Sequence, residues 1–232
     1  MKRFTQIALI TLAVALVIPA MGYASGQEAF VNAAWNNSGY SFGTTSFGNM
    51  STGEFNLKLR DANGNLVKGG ELFTGFCVDP WQYSKSNVLV DLVKPSDYAV
   101  NNENVGLQAA WLFDTYFKKN STKQEIAGLQ LALWEIVVDS NSSIDLTKGN
   151  FAVTKGDATA ITNAKTYLSS LPQSFSAETV VRLNSSYIIG KTGEAQDFIV
   201  KIGDPVPEPA TMLLLGLGLL GIAGIARKKH QR

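Results

Sequence analysis

Two side chains in this sequence have the chemistry to react with each other. Cys77 is the single cysteine. Gln130 lies within Leu129-Gln130-Leu131-Ala132-Leu133-Trp134. Ile126, Leu129, Leu133, Trp134 and Val137 recur at spacings of three and four, so Thr122 to Val138 reads as a helix with one apolar face. Gln130 comes four residues after Ile126 and four before Trp134, which puts a carboxamide on the buried side. Such a group is costly unless its polar atoms are paired. A thiolate attacking the carboxamide carbon expels ammonia and leaves a thioester, and the carboxamide disappears. A folded domain gives two such groups a very high effective molarity. Phe76, Val78, Leu129, Leu133 and Trp134 are the apolar residues able to keep water from the product. Each residue also has an ordinary use: Cys77 as a core thiol, Gln130 as a partner for strand backbone, Trp134 and Trp111 as core aromatics.

Other chemistries find fewer parts. The only histidine, His230, sits in a basic tail, so neither Ser–His nor Cys–His catalysis nor a Cys/His zinc site is available to the central domain. No glycine-rich phosphate loop ending in Lys-Ser or Lys-Thr is present. Asp139, Asn141 and Asp145 lack the glycine and distal Glu of a calcium loop. No metal and no cofactor is expected. A net charge of +1 argues against a nucleic-acid partner. Asp79, Tyr83 and Glu135 could hydrogen-bond to the reactive pair. Gln108, in Leu107-Gln108-Ala109-Ala110-Trp111, echoes the Gln130 box with one residue fewer and competes for its role.

The elements that must position these groups follow from pattern. Val31, Ala33 and Trp35 alternate, Tyr40 to Phe47 gives short aromatic segments between glycines, and Phe55, Leu57 and Leu59 alternate with polar residues. Phe76-Cys77-Val78 reads as a strand end stopped by Asp79-Pro80, and Val88 to Leu92 as a further strand. Helices are expected over Val105 to Lys118, over Thr122 to Val138 with Ser121 or Thr122 as cap, and from Asp157 to Leu171. Strands return at Thr179–Leu183, Tyr187–Ile189 and Phe198–Ile202. Strands, three helices, then strands predict one α+β domain over 25–203, an antiparallel sheet or sandwich interrupted by a three-helix lobe.

Both ends read as targeting segments. Lys2 and Arg3, the apolar run Ile7 to Ile18 and the small residues before Ala24 predict a signal peptide over 1–24. Residues 204–232 hold Val206-Pro207-Glu208-Pro209, an apolar run over 210–226 that would span roughly 25 Å as a helix, and the basic cluster Arg227, Lys228, Lys229 and Arg232. Basic residues there favour a cytoplasmic C-terminus. With Pro207-Glu208-Pro209-Ala210-Thr211, the arrangement resembles the PEP-CTERM sorting signal. The resemblance implies an exported protein held in the inner membrane by the 210–226 helix, then processed by an exosortase and moved to the surface or matrix.

Phe76-Cys77-Val78 and the Leu129–Trp134 box resemble two motifs of bacterial Cys–Gln thioester domains. That resemblance implies a surface adhesin, not a turnover enzyme, in which a Cys77–Gln130 thioester covalently captures an amine on a surface or matrix molecule. The alternative reading is a non-covalent structural or carbohydrate-binding matrix protein that uses Trp35, Tyr40 and Phe42, with Cys77 inert. A paired-carboxylate hydrolase is a more distant third.

Overall fold

In the computed structural model, which describes residues 27–35, 40–61, 65, 71–140 and 144–203, six strands close an antiparallel barrel. The strands are β1 (Gln27–Trp35), β4 (Phe55–Asp61), β5 (Phe73–Cys77), β9 (Phe198–Lys201), β8 (Tyr187–Lys191) and β6 (Val88–Val93), in that order around the barrel. A smaller sheet places β2 (Tyr40–Thr45) between β3 (Gly48–Thr52) and β7 (Val153–Gly156). The alternation read from sequence has a direct counterpart: Phe55, Leu57 and Leu59 of β4 are buried, as are Val88, Val90 and Leu92 of β6, because strand side chains change face at every residue. The α+β expectation holds, with the sheet curled shut rather than open or stacked as a sandwich.

The helical lobe contains α1 (Gly106–Tyr116), α2 (Lys123–Val138), α3 (Ala158–Ser169) and α4 (Ala177–Ser186). Helix α2 starts with a capping box. Thr122 Oγ1 accepts from Glu125 N at 3.3 Å, and Glu125 Oε2 accepts from Thr122 N at 2.6 Å, so two otherwise orphaned donors are paired. From Ile126 to Val138 every residue of α2 is buried, which makes it the central element of the core. Gly128 lets α3 approach closely: a Cβ there would fall 2.7 Å from Asn163 Cβ and 3.0 Å from Ala160 O.

The fourth helix corrects the strand expected at Thr179–Leu183. The β-branched run there favours a strand locally, but Ser176 Oγ accepts from Thr179 N at 3.2 Å and Glu178 lies in the first turn. Cap and acidic residue start a helix, and Leu183 fixes it to the core. Strand β7 has no counterpart in the sequence reading. The leader over 1–24 and the sorting segment over 204–232 lie outside the described residues. Among the described residues no helix is long and apolar enough to cross a membrane.

Candidate functional site

Strand β5 ends at Cys77 and pairs antiparallel with β9, with Gly75 opposite Val200, Phe76 opposite Ile199 and Cys77 opposite Phe198. The pairing continues one step further, where Val78 N donates to Asp197 O at 2.9 Å. Gln196 therefore lies two residues beyond the partner of Cys77, the diagonal position that a long side chain can reach. It does so: Cys77 Sγ donates to Gln196 Oε1 at 2.8 Å. Since a C=O bond is about 1.2 Å long, the Gln196 carboxamide carbon lies within about 4 Å of the sulfur. Cys77 is 2% exposed and Gln196 8%. Burial, then the negative charge of Asp79, pushes the Cys77 thiol up, so it stays protonated at neutral pH and serves as the donor in this contact.

Gln130 reaches the same cysteine from another side. Its Nε2 donates to the backbone oxygen of Cys77 at 2.7 Å. This bond fixes the orientation of the amide, because the reverse would set oxygen against oxygen. Gln130 Oε1 is buried without a hydrogen-bond partner, as is Trp134 Nε1 one turn further along α2. The structure thus brings Gln130 to the main chain of Cys77 and Gln196 to its sulfur. The sequence reading singled out Gln130 and did not consider Gln196. The overlooked signal was a glutamine just ahead of the apolar strand Phe198-Ile199-Val200. Gln108 is half-buried on α1.

Acidic residues surround the pair. Gln196 Nε2 donates to Asp79 O at 3.2 Å, and Asp197 N donates to Asp79 Oδ2 at 3.3 Å. Asp197 accepts from Thr192 N at 2.7 Å and from the Tyr98 hydroxyl at 2.9 Å. Burial, then the charge of Asp197, raises Asp79 to about 7, against backbone hydrogen bonds from Asp197 and Gln82. Burial also raises Asp197, opposed by Thr192, Tyr98 and Lys191. Tyr98 is pushed up by burial and by the charge of Asp197.

The apolar residues expected around the pair, Phe76, Val78, Leu129, Leu133 and Trp134, are all buried in the core. Phe76 packs edge-on against Phe113 and Phe117, with ring centroids at 4.9 and 5.5 Å. Tyr83 contributes its main chain, whose oxygen accepts from Gln196 N at 3.3 Å, while its side chain is 90% exposed. Glu135 turns elsewhere: its Oε1 accepts from Asp145 N at 2.6 Å. Phe42 is 4% exposed and its ring lies over Gly156, so it offers no open face to a glycan. The side chains of Trp35 and Tyr40 lie outside the described residues. Among the described residues, no group of three or more His, Cys, Asp or Glu side chains is placed to hold a metal ion.

Comparison with known protein families finds the PEP-CTERM protein-sorting motif at residues 205–228. The match supports a chain exported and directed to the surface, with recognition by exosortase-type machinery. Comparison with curated proteins and with solved structures returns no match.

Proposed function

We propose that this exported protein closes an internal thioester between Cys77 and Gln196 and uses it once, to bond covalently to an amine on a surface or matrix molecule. The observation that carries this reading is the buried 2.8 Å contact from Cys77 Sγ to Gln196 Oε1. In formation the sulfur attacks the carboxamide carbon, the C–N bond breaks, and ammonia leaves. In capture an amine attacks the same carbon, the C–S bond breaks, and Cys77 returns to a thiol. The link is consumed with each capture, so the protein acts as an adhesin and not as a turnover enzyme. Gln130 becomes a positioning group that holds the end of β5 by its backbone. Export, retention through the 210–226 segment and release by an exosortase-type enzyme belong to the same proposal.

Intact mass tests it. The purified protein is expected to be one ammonia lighter than its sequence requires, and methylamine restores that mass plus one methylene. Cys77→Ala and Gln196→Ala are expected at full mass and inert to methylamine, whereas Gln130→Ala keeps the deficit. A deficit that survives in Gln196→Ala and vanishes in Gln130→Ala assigns the reaction to Gln130 instead. Wild type at full mass, unchanged by methylamine, refutes covalent capture.

A further inference from the structure

Thioester chemistry between Cys77 and Gln196 needs a place for one proton. The thiol must lose it before the sulfur attacks, and the amide nitrogen must gain it before leaving as ammonia. Solvent is poorly placed to help, because both groups are buried.

Asp79 is the carboxyl whose charge acts on the Cys77 thiol. It lies two residues after Cys77 and is 5% exposed. Its backbone oxygen takes the Gln196 Nε2 hydrogen bond at 3.2 Å, so the nitrogen that leaves already faces this residue. Its Oδ2 accepts from Asp197 N. Its Oδ1 is buried with no hydrogen-bond partner, and such an atom in a native interior calls for an explanation.

We propose that the Asp79 carboxyl is the proton carrier of this site, a role that rests on the thioester reading of Cys77 and Gln196. In formation the Asp79 carboxylate takes the thiol proton, the sulfur bonds to the Gln196 carboxamide carbon, and Asp79 returns the proton to the departing nitrogen. In capture Asp79 takes a proton from the attacking amine and passes it to the sulfur as the C–S bond breaks. Carboxyl and proton are restored in each step, so no co-reactant is required.

The surroundings suit the role. Asp197 before β9 and the Gln82 backbone act on Asp79, Lys191 of β8 acts on Asp197, and the charge of Asp79 in turn raises Cys77 on β5 and Tyr98 after the short 3-10 turn Pro95–Asp97. Burial, Asp197 and Gln82 together leave Asp79 exchanging its proton near pH 7, the range in which a carrier serves best at neutral pH.

The test follows methylamine capture by intact mass in the full chain, with rates expressed per free amine across the pH range. In wild type that rate is expected to rise with pH through about 7 and then level. Asp79→Asn keeps an acceptor for Asp197 N. It is expected to fold, to develop the mass deficit more slowly, and once closed to capture roughly a hundredfold or more slowly with no step near neutrality. Asp197→Asn removes the charge that raises Asp79, and is expected to move the wild-type midpoint to lower pH. Asp79→Asn with wild-type rate and profile overturns the assignment. An unmoved midpoint in Asp197→Asn overturns it as well, and decides the matter if Asp79→Asn fails to fold by circular dichroism. A wild type of full mass that ignores methylamine refutes the thioester itself, an outcome distinct from either.

Discussion

Opening the proposed Cys77–Gln196 link is expected to lower the stability of the domain by about 5 kcal/mol, the chain entropy such a link withholds from the unfolded state. The two residues are 119 positions apart. In the chain-entropy treatment of a cross-link, a loop of that length removes about 16 cal/mol/K from the unfolded ensemble, or about 5 kcal/mol near 25 °C. For a domain of this size that corresponds to about 10–20 °C in Tm. Methylamine supplies the perturbation without mutation, since it cuts the link and leaves every other residue in place. The assay is urea unfolding followed by tryptophan fluorescence, before and after treatment, with mass spectrometry confirming the state of each sample. The denaturant dependence should steepen on opening, because an uncrosslinked unfolded chain exposes more surface. Cys77→Ala provides the control: it never closes the link, it ignores methylamine, and its stability should fall within about 1–2 kcal/mol of the opened wild type. A protein that carries the mass deficit yet unfolds at the same midpoint before and after methylamine would show the reasoning about this loop to be wrong.

Two further outcomes follow from the packing and the charges. Gly75→Ala places a Cβ against Leu57 Cδ1 and 2.8 Å from Ile199 O, so β9 must shift away from β5. The expected cost is about 1–3 kcal/mol, read by thermal melting, together with slower development of the mass deficit because Gln196 moves with β9. Glu135 is fully buried with Oε2 unpaired. Burial raises it to about 7, with Asp139 and Asp145 adding to the rise against the Asp145 backbone hydrogen bond. Between the ordinary carboxylate range and about pH 7 the folded chain therefore holds more protons than the unfolded one, and stability falls as pH rises. Glu135→Gln removes this dependence, so its unfolding free energy should gain about 3 kcal/mol on wild type between pH 4.5 and 8. Parallel curves for the two proteins would refute it.

Much of the local structure was legible in the sequence, and for local reasons. The Thr122–Glu125 box and the apolar spacing of Ile126 to Val137 define α2 within a single stretch of chain. Alternation in Phe55, Leu57 and Leu59 defines β4 in the same way, and Asp79-Pro80 stops β5 just after Cys77. The single cysteine and the absence of histidine from the central domain narrowed the chemistry before any coordinates. Thr179–Leu183 was misread because its β-branched residues favour a strand, while the Ser176 cap and the seat of Leu183 in the core decide for a helix.

The choice of glutamine was not legible in that way. Gln130 advertises itself by its place on a helix face, a periodicity written in neighbouring residues. Gln196 stands beside the sulfur only because β5 and β9, far apart in sequence, pair with Cys77 opposite Phe198. One step of register would turn its side chain to the other face of the sheet. That register is set by closure of the whole barrel. The sequence alone determined that a lone thiol sits at a buried strand end. Only the tertiary structure decided which carboxamide it meets, because helix faces repeat locally whereas strand register depends on every strand around the ring.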